Sequence, residues 1–267
     1  MEQTSTEAAD VLLCERDARG VVTLTLNRPQ AFNALSDALL DALQRQLDAL
    51  MHDADARVVV LRGAGRAFCA GHDLKEMQAQ SAQSAHEALF ARCGKVMTGL
   101  SRLPQPVIAQ VHGIATAAGC QLVASCDLAV AAHDARFAVS GVNYGLFCST
   151  PGVALARNML RKQAMEMLLT GEFIDAPTAQ MRGLINRVAA DGALDAEVQA
   201  LVASILAKPA AAVRMGKALF YRQVEMGVEA AYQLAAQTMA CNMQEPCARE
   251  GVQAFIDKRQ PAWRTAH

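Results

Sequence analysis

The chain has 267 residues, of which 52% are hydrophobic, and its formal net charge is -1 with an isoelectric point near 6.6. This length and apolar content can close one sizeable core without disulfide or metal staples. The near-neutral charge leaves no basic surplus for a phosphate backbone, so nucleic acid is not expected as a partner. No apolar run is long enough to span a bilayer, so no membrane is expected either.

The cysteines and the first ten residues point to the compartment. Eight cysteines stand at scattered spacings, with no CxxC pair and no neighbouring histidine at zinc-ligand intervals. This pattern favours reduced thiols over a disulfide framework or a metal site. The first ten residues are polar and acidic, without the apolar core of a signal peptide or the Arg-rich pattern of a transit peptide. We therefore expect a cytoplasmic protein.

The first predicted elements form a strand, a helix and a second strand. Val21–Leu26 alternates β-branched and apolar residues, as a strand does, and the loop at residues 27–29 follows it. Apolar residues at helical spacing after a Ser36 N-cap predict an amphipathic helix to about His52. The apolar run at residues 58–61, bounded by glycines, predicts a buried strand.

The same order of helix and strand then repeats. Residues 81–100 are helical in composition, and Val107–Val111 is strand-like after two prolines. A small-residue segment at 115–119 is predicted to begin a helix that runs to Ser125, and residues 128–131 form the next strand. Strands that alternate with helices are typical of an α/β domain.

The C-terminal part is predicted to be almost wholly helical. The predicted helices are 162–169, 176–182, 195–206, 210–240 and 247–257, with a short strand at 186–189. We therefore divide the chain into an α/β domain, residues 1–190, and a helical C-terminal region, residues 191–267. The Met-rich and Leu-rich stripes of this region are more typical of a core or subunit contact than of a ligand site.

Two turns carry the candidate chemistry. Residues 66–74 follow the buried strand, and their small members let a ligand approach the backbone. Residues 111–120 place small residues where a strand gives way to a helix, whose first N–H groups are unpaired and can hold an anion. One amide from each turn could converge on a carbonyl oxygen as an oxyanion hole.

These two turns carry a family resemblance. Residues 68–74, F-C-A-G-H-D-L, resemble the F-x-A-G-x-D-[LI] signature of the crotonase (enoyl-CoA hydratase/isomerase) family, and residues 111–127 resemble its helix-opening G-x-x-x-G-x-G-x-x-L-x-x-x-C-D stretch. The resemblance extends from residues 27–29 to 250–259. It implies a spiral of ββα units, with a C-terminal region that forms trimers or dimers of trimers.

The resemblance also implies which residues meet the substrate, an acyl-CoA thioester whose coenzyme A is part of the substrate and not a separate cofactor. The oxyanion-hole amides match Ala70 and Ala118. The coenzyme A is expected along Arg28, Ala31 and the loop His72, Asp73, Leu74 and Lys75, with Lys75 at a phosphate. Phe255 and Lys258 match a patch that approaches the adenine from a neighbouring subunit.

The catalytic positions depart from the family pattern. Hydratases of this family use two glutamates as general base and acid on the double bond of the substrate. Their positions are occupied here by Gln121 and Gly141, and neither residue exchanges a proton at neutral pH. Efficient hydration is therefore not expected. The remaining polar groups near these loops are His72, His112, Cys120, Ser140, Asn143, Tyr144 and Cys148. Among them, Asn143 or Tyr144 could hydrogen-bond substrate or water.

Three functions remain open at this point. The first is an acyl-CoA enzyme, a lyase, isomerase, thioesterase or decarboxylase that uses the oxyanion hole. The second is a non-catalytic acyl-CoA-binding or assembly protein. The third is a hydrolase with Ser140 or Ser149 as nucleophile, although no spacing of Ser, His and Asp supports it.

Overall fold

A computed structural model describes residues 10–264, so the acidic start used to predict the compartment lies almost wholly outside the described residues. The strands are β1 Leu12–Arg16, β2 Val21–Leu26, β3 Val58–Gly63, β4 Val107–Val111, β5 Ile114–Thr116, β6 Leu128–Ala132, β7 Arg136–Ala138, β8 Ile174–Asp175 and β9 Arg187–Ala189. The helices are α1 Asp37–Met51, α2 Leu74–Ala79, α3 Gln83–Arg102, α4 Ala118–Ser125, α5 Ser149–Asn158, α6 Arg161–Thr170, α7 Ala176–Met181, α8 Leu194–Leu206, α9 Ala210–Gln223, α10 Val228–Asn242 and α11 Pro246–Ile256.

The long periodic elements lie where the sequence predicts them. The Ser36 side chain accepts a hydrogen bond from the Leu39 N–H and so caps α1. The leucines on one face of α1 are buried, as its amphipathic pattern requires. Strands β2, β3, β4 and β6 are also confirmed.

Short and irregular elements differ from the prediction. Residues 114–116 form strand β5, so helix α4 begins only at Ala118. The helix predicted over 210–240 is two helices, α9 and α10, because the chain turns at residues 224–227 and Gly227 caps α10. Strands β1, β7 and β8 and helices α2 and α5 are not among the predicted elements. Strands β7 and β8 have only three and two residues, too few to carry a periodic signal.

The strands form two sheets. The large sheet has the order β1-β2-β3-β4-β6-β9, and all its pairs are parallel except β1 with β2. In the small sheet, β5 pairs with β7 in parallel and β7 pairs with β8 antiparallel. Strand β5 follows β4 directly, so the chain passes from the large sheet into the small one beside the start of α4.

Both faces of the large sheet are covered. One face, with Leu24 and Leu61, packs in the main core against α1 and α3. The other face, with Val60 and Ile108, packs against α8. Helix α8 lies beyond residue 190, so this part of the C-terminal region helps to close the core of the sheet. The division at residue 190 stays a prediction.

Helices α9 to α11 lie on the outside of this body. Their exposed large apolar side chains are Phe220, Val228, Tyr232, Met239, Val252, Phe255 and Ile256. Over residues 10–264, no single helix is long and apolar enough to cross a membrane, although the bent pair of α8 and α9 passes on length and composition alone.

Candidate functional site

A cavity of about 900 Å³ opens between the turn at Pro29–Ala31, the loop after β3, the start of α4 and the segment around Ser140–Tyr144. Its wall includes most of the predicted site: Arg28, Ala31, Ala70, His72, Asp73, Leu74, Lys75, Ala118, Gly141 and Asn143. The two predicted turns therefore meet at one place.

The loop after β3 is held between two neighbouring segments. Cys69 pairs with Ala115 of β5, and His72 pairs with Leu35. Gly71 has a φ of +96°, and a Cβ added there would lie 3.0 Å from the Thr116 carbonyl oxygen and 3.3 Å from the Ala118 nitrogen. This close approach requires glycine and brings the loop against the first residue of α4.

The structure contradicts the predicted role of Ala70 as an oxyanion donor. Its N–H donates to the carbonyl oxygen of Phe32 at 3.0 Å. Its own carbonyl oxygen accepts a hydrogen bond from the Thr116 hydroxyl at 2.9 Å. An amide that is already paired cannot receive the charge of a substrate oxygen without losing that bond.

The backbone amide of His72, in the same loop, is unpaired. Leu35 N–H donates to the Gly71 carbonyl, and Asp73 N–H donates to the Leu35 carbonyl. Because Gly71 and Asp73 both bond to Leu35, the N–H of His72 between them points to the other edge of this extended segment. Within residues 10–264, the His72 N–H has no hydrogen-bond acceptor. The sequence pattern did not reveal this, because the register against Leu35 is a long-range contact.

A second unpaired amide belongs to Ala118, the other position that the family resemblance gives for an oxyanion donor. It is the first residue of α4, and its N–H has no acceptor among the described residues. The preceding Ala117 has φ 49° and ψ −118°, a strained conformation that its N–H bond to the Ala138 carbonyl helps to hold. The positive end of α4 adds to the attraction for an anionic oxygen.

The two positions predicted to lack glutamates differ in their surroundings. Gln121 is buried in α4, does not line the cavity, and its Oε1 has no hydrogen-bond partner within the described chain. Gly141 lines the cavity and has no positive φ. A Cβ added at Gly141 would lie 2.4 Å from the Leu146 carbonyl oxygen and 2.8 Å from the Cys148 sulfur. The backbone here therefore leaves no space for a side chain.

The other polar groups near this wall have no catalytic partner. Asn143 donates to the Gly171 carbonyl at 3.4 Å, and Tyr144 is exposed at the cavity mouth. Burial raises the pKa of the Cys148 thiol, and a hydrogen bond from the Gly141 N–H offsets this only in part. No histidine forms a hydrogen bond with the Ser140 or Ser149 hydroxyl in the part of the chain described, which disfavours the hydrolase hypothesis.

Three charged residues, Arg28, Asp73 and Lys75, also line the cavity. Arg28 pairs with Asp73 at 2.9 Å and donates to the Ala34 carbonyl at 2.6 Å. Burial raises the pKa of Asp73, but Arg28 and the first amides of α2 outweigh it and hold that pKa below its usual value. The exposed Lys75 ammonium has no partner within residues 10–264 and is free to meet an anion.

The His72 side chain is a further feature of this wall. Burial lowers the pKa of His72 to about 4, and the Asp37 carboxylate opposes this only weakly. The imidazole is therefore neutral at physiological pH. Its ring lies edge-on to Phe90, with 5.5 Å between ring centroids.

Phe255 and Lys258 do not line the cavity of their own chain. Phe255 is exposed on α11, and Lys258 follows that helix with a φ of 54°. Their predicted contact with a neighbouring subunit stays a prediction.

Comparisons with known proteins show the family of the chain. The family Enoyl-CoA hydratase/isomerase matches residues 16–266. Human mitochondrial enoyl-CoA hydratase domain-containing protein 3 is 44% identical over 251 residues, which cover 93% of this chain and 82% of the human protein.

Solved structures of the same family are similar to this chain in both sequence and fold. The crystal structure of an enoyl-CoA hydratase from Mycobacterium smegmatis has 64% identity and a TM-score of 0.94, and the match covers 95% of this chain and 99% of that one. The structure of the human protein has 42% identity and a TM-score of 0.91, over 95% of this chain and 100% of the other. The predicted crotonase fold, α/β with C-terminal helices, is confirmed. The chain therefore belongs to the enoyl-CoA hydratase/isomerase (crotonase) family.

Proposed function

We propose that this protein is an acyl-CoA enzyme that polarises the thioester carbonyl with the backbone amides of His72 and Ala118. The observation that carries the proposal is the pair of amides without acceptors on adjoining segments of the cavity wall. Two such donors stabilise the negative charge that develops on a carbonyl oxygen when the neighbouring carbon reacts.

The rest of the cavity wall suits the coenzyme A. Lys75 offers an unpaired ammonium for a phosphate at the exposed end. Ala31 and Leu74 present apolar surface beside it. In this proposal Arg28 acts mainly by fixing the Asp73 loop, because its guanidinium is already paired.

The reaction we propose is not hydration by two glutamates. Gln121 supplies no carboxylate, and Gly141 has no space for one. Loss of a positioned acid or base costs about 10²-fold to 10⁴-fold in rate. A polarised thioester still favours a reaction that forms an enolate without a protein base, such as decarboxylation, in which the electrons of the broken C–C bond pass to the thioester oxygen as carbon dioxide leaves. Such reactions belong to acyl-CoA metabolism.

One observation favours the second candidate, a non-catalytic acyl-CoA-binding protein. Asp73 is the single carboxylate among the described residues of the cavity wall, and it is bound to Arg28. Among the residues that the structure describes, the cavity wall therefore offers no free carboxylate base.

Assembly and location are part of the proposal. We place the exposed apolar side chains of α9 to α11 in a homotrimer or dimer of trimers, where Phe255 and Lys258 approach the adenine of a neighbouring site. We also propose a cytoplasmic location, because the eight scattered cysteines favour reduced thiols.

A panel of acyl-CoA and enoyl-CoA thioesters, followed by mass spectrometry and calorimetry, tests the proposal. Turnover of a thioester other than by hydration supports the enzyme. Binding without turnover supports the second candidate, and absence of binding by every thioester contradicts both.

A further inference from the structure

The imidazole of His72 is a polar group left unused by the fold. Both ring nitrogens are buried, and neither has a hydrogen-bond partner within residues 10–264. Buried polar side chains are normally paired, so such an exception calls for an explanation. The ring contacts Phe90, which also lines the cavity. This apolar contact satisfies neither nitrogen.

The position of this ring relative to the proposed thioester site restricts what it can contact. In the proposed function the thioester oxygen binds the His72 N–H, so the His72 side chain begins on the residue that holds that oxygen. The part of a ligand within reach is therefore the acyl group near the carbonyl, and not the nucleotide. A ring nitrogen reaches the cavity by rotation about the side-chain torsions, which exchange between discrete rotamers.

The charges around the ring decide which ligand group fits. Burial keeps the imidazole neutral, with one N–H donor and one nitrogen acceptor. The carboxylate of Asp37, which acts on the imidazole, is bound to Arg92, and that of Asp73, the next residue in the chain, is bound to Arg28. The Lys75 ammonium is exposed. An uncharged oxygen on the acyl group, a hydroxyl or a ketone, matches a neutral imidazole without a buried unpaired charge.

We propose that the His72 side chain is an acyl-specificity residue, which turns into the cavity and hydrogen-bonds an uncharged oxygen near the thioester carbonyl. This inference rests on the proposed function, because it requires an acyl-CoA in the cavity. It assigns the side chain a role that is separate from the role of the His72 backbone amide.

Calorimetry with two thioesters of equal chain length, butyryl-CoA and 3-hydroxybutyryl-CoA, tests the inference. One net hydrogen bond changes affinity by about threefold to tenfold. We therefore expect the wild-type protein to bind the hydroxyl-bearing ligand more tightly by that factor. In H72F the preference falls to about one, because phenylalanine keeps the ring packing and the backbone N–H but loses both nitrogens. H72Q retains part of the preference, since its amide offers a donor and an acceptor.

Phe90→Leu is the matched control, because it alters the same wall without removing a polar group. It should keep the preference for the hydroxyl. Equal binding of the two thioesters by the wild-type protein, or a preference unchanged in folded H72F, would overturn the inference while leaving the proposed function intact. If neither thioester binds, the proposed function itself fails.

Discussion

Gly141 shows how the backbone of a single residue constrains the reaction. From the sequence alone, placing glutamates at positions 121 and 141 should raise hydration. The Leu146 carbonyl oxygen, 2.4 Å from a Cβ at Gly141, changes that expectation. Backbone atoms do not yield as the end of a flexible side chain would, so the segment around Cys148 must move before any side chain fits.

We expect Gly141→Ala to lower the free energy of unfolding by about 1–3 kcal/mol, as overpacking does. Gly94→Ala on α3 is the control, since nothing lies within 4 Å of a Cβ added there. Alanine at this position should stabilise the helix by about 1 kcal/mol. Urea unfolding measures both.

We further expect Gln121→Glu with Gly141→Glu to give no gain in crotonyl-CoA hydration. Hydration by the wild-type protein at about 10 per second, a typical enzyme rate, would contradict this account of the site.

His72 gives a pH dependence of stability. The unfolded chain protonates this residue near its ordinary pKa of 6.5, but the folded chain does so only near pH 4. Between these values the unfolded state binds more protons, so the contribution of His72 is complete above pH 6.5 and is lost as the pH falls toward 4. The loss is on the order of 3 kcal/mol.

Urea unfolding of wild-type protein and H72F across this pH range measures the effect. The wild-type protein should lose stability relative to H72F as the pH falls. A difference between the two proteins that stays constant from pH 7 to pH 4 would mean that the imidazole is not held neutral by burial.

At the scale of elements, the sequence predicts what periodicity and capping determine locally. Helix α1 and strand β3 carry these signals within their own residues. Strand β5 carries none, because three residues become a strand only by pairing with β7. The identity of the proposed oxyanion donor depends on the same kind of long-range pairing. Ala70 and His72 are equivalent candidates until their pairing with Phe32 and Leu35 is known.

A buried ion pair fastens α9 to the body of the protein. The Lys217 side chain is 6% exposed, and its ammonium lies 2.6 Å from the carboxylate of Asp127, which follows α4. It also donates to the carbonyls of Leu100 and Gln105, both at 2.9 Å. Burial lowers the pKa of Lys217, and Asp127 opposes that shift.

Lys217→Met should lower the free energy of unfolding by about 3–5 kcal/mol, because it leaves the Asp127 charge buried and without its partner. Arg157→Met is the control. It removes an exposed ion pair with Glu225, close to the end of α9, and should cost at most about 1 kcal/mol. Chemical denaturation compares the two variants. Equal losses of unfolding free energy in the two variants would show that burial of Lys217 does not strengthen its ion pair with Asp127.

The whole molecule is expected to assemble through its C-terminal helices. Phe220, Tyr232, Met239 and Phe255 expose more than half of their surface in the single chain. Apolar surface on this scale usually marks a contact between proteins. Light scattering at micromolar concentration should report three or six times the chain mass of 28.4 kDa. A stable monomer would contradict the assembly and the shared adenine contact.

The carbonyl stretching frequency of a bound acyl-CoA, labelled with carbon-13 at the thioester carbon, tests the central claim most directly. Two amide donors weaken the C=O bond, so infrared difference spectra of the wild-type complex should show the band at lower frequency than in water. Ala118→Pro removes one donor at the first position of α4, where helices tolerate proline. Arg161→Pro at the first position of α6 is the control. We expect a smaller shift in Ala118→Pro and an unchanged one in Arg161→Pro; a bound thioester whose band stays at its frequency in water would contradict the account.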